Sequence, residues 1–193
     1  STSTNTLTFA TAPYIPTATI GAGAISLKRP DGRYLLLNGN SATSSFVYDP
    51  WGQTAPVAGP TLTSCTAGAG TNAFMRPDGK YVIICGGSGN WGVYDPSQLP
   101  GAYTAIGSGS TSPVFFGAGA HALQRDDGTF LVFVGGGSTG AQIYNPYMNT
   151  FTTNPSLVNF PTINTGAVSV KRQDGKYLII PSAQTTSYIY DPT

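Results

Sequence analysis

Charged side chains, glutamate, histidine and cysteine are scarce in this 193-residue chain. Only 9% of the residues are charged, and all eight acidic residues are aspartate. Because water-exposed helix faces usually carry Glu and Lys, this composition favours an all-β chain. The net charge of +1 provides no basic surface for nucleic acid. No hydrophobic run is long enough to span a membrane.

The side chains that carry most enzyme chemistry are nearly absent. Nucleophilic catalysis needs a base and usually an orienting carboxylate, and glycoside hydrolysis needs an asymmetric carboxylate pair. His121 is the single histidine, and the equivalent repeat positions hold Ile25, Asn72 and Val168. We therefore interpret His121 as a hydrogen-bonded interior residue. We expect no catalytic residue, no metal site and no cofactor, and we predict that the chain is not an enzyme.

Two cysteines are too few for a zinc cluster or a disulfide scaffold. A hairpin around Asp78 would place Cys85 opposite Thr71 and away from Cys65. We therefore expect two free, buried thiols, with a disulfide made through a loop as the alternative.

Glycine (25 residues), proline (15) and Ser plus Thr (42) are abundant, and the chain repeats itself. An Asp-Gly pair recurs at spacings of 47, 49 and 47 residues. An arginine precedes each of these aspartates by two positions, and an aromatic residue follows it by three. The resulting repeat residues are Arg29, Asp31, Gly32, Arg76, Asp78, Gly79, Arg125, Asp127, Gly128, Arg172, Asp174 and Gly175.

Each repeat reads as a set of β-strands. Residues before Asp-Gly alternate between large and small side chains, as expected for a strand. Asp-Gly is a strong hairpin signal because glycine accepts a positive φ. An apolar strand follows, and a third strand ends at Tyr-Asp-Pro or Tyr-Asn-Pro, where proline cannot donate to the ladder. A polar stretch can add a fourth, outer strand.

Four strands repeating every forty-odd residues are typical of a β-propeller blade. We predict an all-β, four-bladed β-propeller forming one domain, 1–193, in which each blade is a four-stranded antiparallel meander. The repeats are 17–63, 64–112, 113–160, and 161–193 together with 1–16. Residues 5–8 match 149–152, so we expect an N-terminal strand to complete the last blade, either of its own ring or of a neighbouring molecule.

The repeat resembles those of kelch and galactose-oxidase-like propellers. The resemblance rests on Gly86-Gly87, on Tyr94-Asp95-Pro96, and on Phe151 followed by Pro155. It implies the propeller fold and little about activity, because kelch-type propellers include enzymes, adaptors and surface proteins. Galactose-oxidase-like copper chemistry would need histidines and cross-linked aromatic residues that this sequence lacks.

All charges lie in repeat motifs, so we interpret each Arg and Asp two positions apart as an ion pair that holds the hairpin; a charged binding rim is the alternative. We predict an extracellular, non-catalytic structural protein whose partners are copies of itself, assembling into a surface fibre, tube or adhesin. The alternative is a lectin-like propeller that stacks glycans on Trp51, Trp91, Tyr103 and Tyr147. These aromatics do not lie at equivalent repeat positions, and we expect Trp51 and Trp91 to pack between blades.

Overall fold

The computed structural model describes residues 20–52, 55–63, 66–98, 103–105, 114–153 and 159–193. Over these ranges the chain forms fifteen β-strands and no helix, so they contain no helical membrane span. The strands are β1 (Ile25–Lys28), β2 (Tyr34–Leu37), β3 (Ser45–Tyr48), β4 (Val57–Ala58), β5 (Asn72–Met75), β6 (Tyr81–Ile84), β7 (Trp91–Tyr94), β8 (Tyr103–Ala105), β9 (His121–Gln124), β10 (Phe130–Phe133), β11 (Ala141–Asn145), β12 (Thr150–Thr153), β13 (Val168–Lys171), β14 (Tyr177–Ile180) and β15 (Tyr188–Tyr190).

The strands form four antiparallel sheets in chain order, one for each repeat. The first three sheets have four strands each, in the orders β1-β2-β3-β4, β5-β6-β7-β8 and β9-β10-β11-β12. The fourth sheet has three strands among the described residues, β13-β14-β15. The all-β prediction and the meander are thus confirmed at the level of single sheets. The predicted closing strand, within residues 1–16, lies outside the described part of the chain.

The Asp-Gly turns join the first two strands of each sheet. In the first sheet, Arg29 N–H donates to the Arg33 carbonyl at 2.8 Å, and Gly32 N–H donates to the Arg29 carbonyl at 3.1 Å. Gly32 has a φ of 81°, a conformation that costs glycine little and other residues more. The same hydrogen-bond pattern recurs at Arg76, Arg125 and Arg172. The repeated hairpin therefore follows directly from the repeated sequence.

The inner strands begin later than the sequence alternation suggests. Each of the stretches 22–29, 69–76, 118–125 and 165–172 reads as a strand, but in each the strand starts three residues further on. A tight turn takes up the first residues; in the first sheet Ala24 N–H donates to the Gly21 carbonyl at 3.0 Å. Glycine is needed there because sheets approach closely: a Cβ on Gly70 would lie 2.2 Å from the Gly117 carbonyl oxygen.

The hydrophobic core lies between consecutive sheets and divides into three clusters. Leu35 of the first sheet packs with Ile83 of the second, and Ile84 of the second packs with Val132 of the third. Leu131 of the third sheet shares the last cluster with Ile179 and Tyr177 of the fourth. We call the face of a sheet that packs on the next sheet its forward face, and the face that packs on the preceding sheet its backward face. The same names are used for the equivalent faces of the first and fourth sheets.

The expectation of free thiols is wrong, because Cys85 is disulfide-bonded. Its side chain is fully buried at the end of β6. The chain has one other cysteine, Cys65, which lies outside the described residues. The hairpin register does set Cys85 beyond the Asn72–Ile84 pair, next to Thr71. The register of β5 with β6 does not bear on Cys65, because residue 65 precedes β5 in the sequence.

Candidate functional site

The repeat arginines connect neighbouring sheets as well as their own turns. Each pairs with the aspartate two positions on, as in Arg29–Asp31 at 3.2 Å and Arg76–Asp78 at 2.9 Å. Arg29 also donates to the hydroxyl of Tyr94 in the second sheet. The same link joins Arg76 to Tyr144 at 3.3 Å, and Arg125 lies beside the hydroxyl of Tyr190 in the fourth sheet. The spacing in the sequence predicts the ion pair, but it carries no signal for the link to the next sheet.

These links place tyrosine hydroxyls between sheets. Tyr94 and Tyr144 are fully buried, and burial raises the pKa of both phenols. A buried hydroxyl needs a hydrogen-bond partner, and the arginine of the preceding sheet donates to each. The Tyr144 hydroxyl itself donates to Asn149 Oδ1 at 2.7 Å. The tyrosine that begins Tyr-Asp-Pro or Tyr-Asn-Pro and the arginine before Asp-Gly therefore act together across the first two internal interfaces.

A second tyrosine contact also joins neighbouring sheets, with the tyrosine as the hydrogen-bond donor. The Tyr81 hydroxyl donates to the Lys28 carbonyl at 2.8 Å, and the Tyr177 hydroxyl donates to the Gln124 carbonyl at 3.0 Å. Both tyrosines start the second strand of their sheet, and both carbonyls end the inner strand of the preceding sheet. The third repeat has Phe130 at this position and lacks the hydroxyl.

The forward face of the fourth sheet is exposed, although its equivalents in the other sheets are buried or partly buried. Its side chains are exposed by 50% at Val168, 53% at Val170, 41% at Ile180 and 50% at Ile189. The equivalent Leu27, Leu37 and Val47 of the first sheet, and Leu123 and Phe133 of the third, are buried. Arg172, at the end of this face, has a side chain 46% exposed, against 1% for Arg29.

The backward face of the first sheet is the matching end of the row. It carries Tyr34, Leu36, Phe46 and Tyr48, all partly buried. Ile20 adjoins it and is 50% exposed. Among the described residues, no hydrogen bond and no hydrophobic cluster joins this face to the fourth sheet. The exposed forward face of the last sheet is here called the fourth-sheet face, and the partly buried backward face of the first sheet is called the first-sheet face.

The candidate aromatic residues have different surroundings. Trp91 is buried and meets Tyr144 and Phe151 edge-on, which removes it as a sugar platform. Trp51 is 89% exposed, so its expected packing between blades is wrong. Tyr147 is also strongly exposed. The side chain of Tyr103 lies outside the described residues.

Trp51 and Tyr147 occupy equivalent repeat positions, so the expectation that the candidate aromatics share no repeat position is wrong for this pair. Each directly follows the proline that ends a third strand. The side chains of Asp49 and Asn145 accept the backbone N–H of Trp51 at 3.0 Å and of Tyr147 at 2.9 Å. The same turn in the second sheet holds Ser97, whose hydrogen bonds lower the pKa of Asp95. Exposed aromatics thus alternate with small hydroxyl residues on one edge of the molecule.

His121 is hydrogen-bonded between the inner strands of the third and fourth sheets. Nδ1 lies 2.8 Å from the Gly119 carbonyl, so this nitrogen carries the proton, and Nε2 lies 2.6 Å from Ser169 Oγ and accepts from it. The ring also meets Phe133 edge-on. Burial lowers the pKa of His121. Because a backbone carbonyl holds Nδ1, no carboxylate orients the ring as in a catalytic triad.

The residues present do not form a metal site of the usual kind. In the described ranges, no three His, Cys, Asp or Glu side chains come together in a way that could hold a metal ion. The aspartates are committed to turns and ion pairs: Asp95 pairs with Lys80 at 3.1 Å, and Asp191 pairs with Lys176 at 2.7 Å.

No family model and no curated protein matches the sequence. Solved structures do resemble the fold. A fungal alcohol oxidase of the AA5 family in complex with copper matches at 15% identity with a TM-score of 0.69, over 92% of this chain and 43% of the oxidase. YCF48 bound to D1 peptide matches at 16% identity with a TM-score of 0.55, over 88% of this chain and 50% of the YCF48 chain. The extracellular domain of BT4673 from B. thetaiotaomicron matches at 15% identity with a TM-score of 0.55. The match covers 86% of this chain and 24% of that domain's chain.

These similarities concern the fold alone and support the β-propeller class. This chain spans half or less of the length of those three structures. Its four sheets thus correspond to part of each longer chain.

Proposed function

We propose that this chain is a non-catalytic structural subunit with the β-propeller architecture, which assembles with copies of itself into an extracellular fibre, tube or adhesin. The observation that carries the proposal is the open fourth-sheet face. It exposes apolar residues at positions that are buried or partly buried against the next sheet in the other repeats. A contiguous apolar face of this kind marks an interaction surface.

The chemistry of the chain supports an extracellular setting. A buried disulfide persists in oxidising compartments and is rare where thiols are kept reduced. The aspartates and basic residues are committed to the repeat, which is consistent with a structural part. Apolar association of uncharged surfaces is also the natural mode for a chain with 9% charged residues.

Sedimentation velocity over a hundredfold range of protein concentration tests the proposal. We expect the weight-average mass to rise with concentration, and negative-stain images to show rings or filaments at the high end. A monomer of constant mass throughout would contradict self-assembly.

A second candidate function is glycan binding, favoured by the exposed Trp51 and Tyr147 on equivalent turns. Aromatic faces held in rigid turns are suited to stacking on the apolar faces of sugars. Because Trp91 is buried, a change in tryptophan fluorescence on adding oligosaccharide would report mainly on Trp51. In isothermal titration calorimetry, which needs no tryptophan signal, loss of binding in Trp51→Ala with binding retained in Phe115→Ala would support this function, since Phe115 is an exposed aromatic elsewhere. Equal binding by both variants would contradict it.

A further inference from the structure

We propose that the fourth-sheet face of one molecule binds the first-sheet face of a second copy, head to tail, with the contacts that join consecutive sheets inside the chain. This inference rests on the proposed self-assembly and names its interface. The three internal interfaces supply the pattern against which the two faces can be compared.

The apolar residues of the two faces match that pattern. Inside the chain, Val82 and Ile84 on a forward face pack with Phe130 and Val132 on the following backward face. The fourth-sheet face has Leu178 and Ile180 at the forward positions. The first-sheet face has Tyr34 and Leu36 at the backward positions. Residues of the same kind therefore stand on both faces, and no described hydrophobic cluster joins the two faces within one molecule.

The polar contacts are complementary as well. Arg172 occupies the position from which the other three repeat arginines reach a tyrosine of the next sheet. Tyr48 occupies the position of the tyrosines that receive such an arginine. Likewise, Tyr34 corresponds to the tyrosines that donate to an inner-strand carbonyl, and Lys171 carries the corresponding carbonyl. The interface thus gains an Arg172–Tyr48 and a Tyr34–Lys171 hydrogen bond.

The turn contacts point to the same partner. Ala67, Phe116 and Ile163 are each fully buried, and each is joined by backbone bridges to a turn of the preceding sheet. Ile20 is the equivalent residue of the first repeat and is exposed. By the same spacing its partner is the turn at 184–185 of the fourth sheet. A second copy brings these two elements together.

Head-to-tail contact through two different faces is heterologous, so copies add in one direction until a ring closes or a filament grows. A second copy is the occupant because its first-sheet face presents the apolar and polar groups that the fourth-sheet face matches, and no described contact joins the two faces within one molecule. Closure of one chain on itself would bury both faces without any association, and this becomes an outcome of the test.

The test uses two variants that each block one face. Val170→Arg places a charge on the fourth-sheet face, and Ile20→Arg places one beside the first-sheet face. Both positions are half exposed, so the single chain is expected to keep its fold and melting temperature. Val57→Arg is the matched control, an exposed valine on β4 that belongs to neither face.

Each blocked variant alone is expected to sediment as a monomer, while Val57→Arg assembles like the unchanged chain. A mixture of the two blocked variants is expected to give a one-to-one dimer and nothing larger, because a single pair of intact faces remains. If Val170→Arg assembles normally, this interface is wrong although self-assembly stands. If the unchanged chain is a monomer at every concentration, both proposals fail, and the chain closes on itself if both faces are then protected from solvent.

The polar pair gives a second readout within the mixed dimer. Arg172→Gln in the Ile20→Arg background and Tyr48→Phe in the Val170→Arg background should each weaken the dimer about tenfold, as expected for one charge-assisted hydrogen bond. The two changes together should weaken it little more than either alone. Independent, multiplying effects would overturn the Arg172–Tyr48 contact.

Discussion

At the scale of single residues, one repeated motif performs two tasks. The arginine before Asp-Gly pairs with its own aspartate and also donates to a tyrosine in the next sheet. Its exposure rises along the chain, from 1% at Arg29 through 15% and 25% to 46% at Arg172. The same residue type is therefore structural inside the row of sheets and available for a partner at its end.

Replacing Arg29 by methionine should lower the free energy of unfolding by about 1–3 kcal/mol, because the Tyr94 hydroxyl then stays buried without that donor. Arg172→Met is the matched control and should change the stability of the monomer by about 0.5 kcal/mol or less. Urea unfolding at low protein concentration measures both. Equal losses would show that the link between the first two sheets contributes nothing beyond the turn ion pair.

His121 should make stability depend on pH. Burial lowers its pKa below the ordinary value of 6.5, so the unfolded chain takes up the proton first. Stability is complete above about pH 6.5 and falls as the pH decreases below it, by up to about 1.4 kcal/mol per pH unit.

His121→Asn, which copies Asn72 of the second repeat, should lose this dependence. The aspartates with lowered pKa values, such as Asp127 beside Thr129, lose their contribution only at more acidic pH and do so in both proteins. Parallel stability curves for the two proteins between about pH 5 and 7 would show that His121 is not protonated on unfolding.

At the scale of the elements, glycine sets how closely two sheets approach. Gly70 and Gly166 are equivalent residues with φ of 93° and 85°. A Cβ on Gly70 would lie 2.2 Å from the Gly117 carbonyl oxygen, whereas on Gly166 its nearest neighbour is the Ser182 hydroxyl oxygen at 3.4 Å. The same turn is thus constrained by a neighbouring sheet in one repeat and unconstrained in the last.

Gly166→Ala should cost about 1–2 kcal/mol, the penalty of an alanine in the left-handed region. Gly70→Ala should cost a further 1–3 kcal/mol or so, because the second and third sheets must move apart. Thermal or urea unfolding of the two variants measures the difference. A Gly70→Ala variant no less stable than Gly166→Ala would mean that these sheets do not approach as closely as the structure shows.

At the scale of the whole molecule, the disulfide of Cys85 affects the stability of the single chain, whereas the fourth-sheet face and the first-sheet face affect its association. A bridge to Cys65 would close a loop of about 20 residues, and loops of this size contribute about 3 kcal/mol of stability. Reduction with dithiothreitol should therefore lower the urea midpoint of the monomer while the contacts of the fourth-sheet face are unchanged. A Cys65→Ser, Cys85→Ser chain with unchanged stability would contradict this.

The repeat and its hairpins are determined by the sequence itself, because their causes are local. Asp-Gly supplies the turn, proline ends the third strand, and alternation pairs the strands, so the places of Arg29, Asp31 and Gly32 in the hairpin follow from the sequence alone. The later start of the inner strands does not follow from it, because alternation does not distinguish a strand residue from one in a Gly-Ala turn.

What only the tertiary structure decided depends on neighbouring sheets. Strand register predicts a free Cys85, but Cys85 is disulfide-bonded, because the register of β5 and β6 places no restriction on residues outside those strands. Trp51 and Trp91 look alike in sequence, yet one is exposed and the other buried, because only Trp91 lies on a strand face with another sheet against it. Val170 and Leu123 likewise share a repeat position and differ in exposure, since burial is a property of the sheet that packs next to a residue.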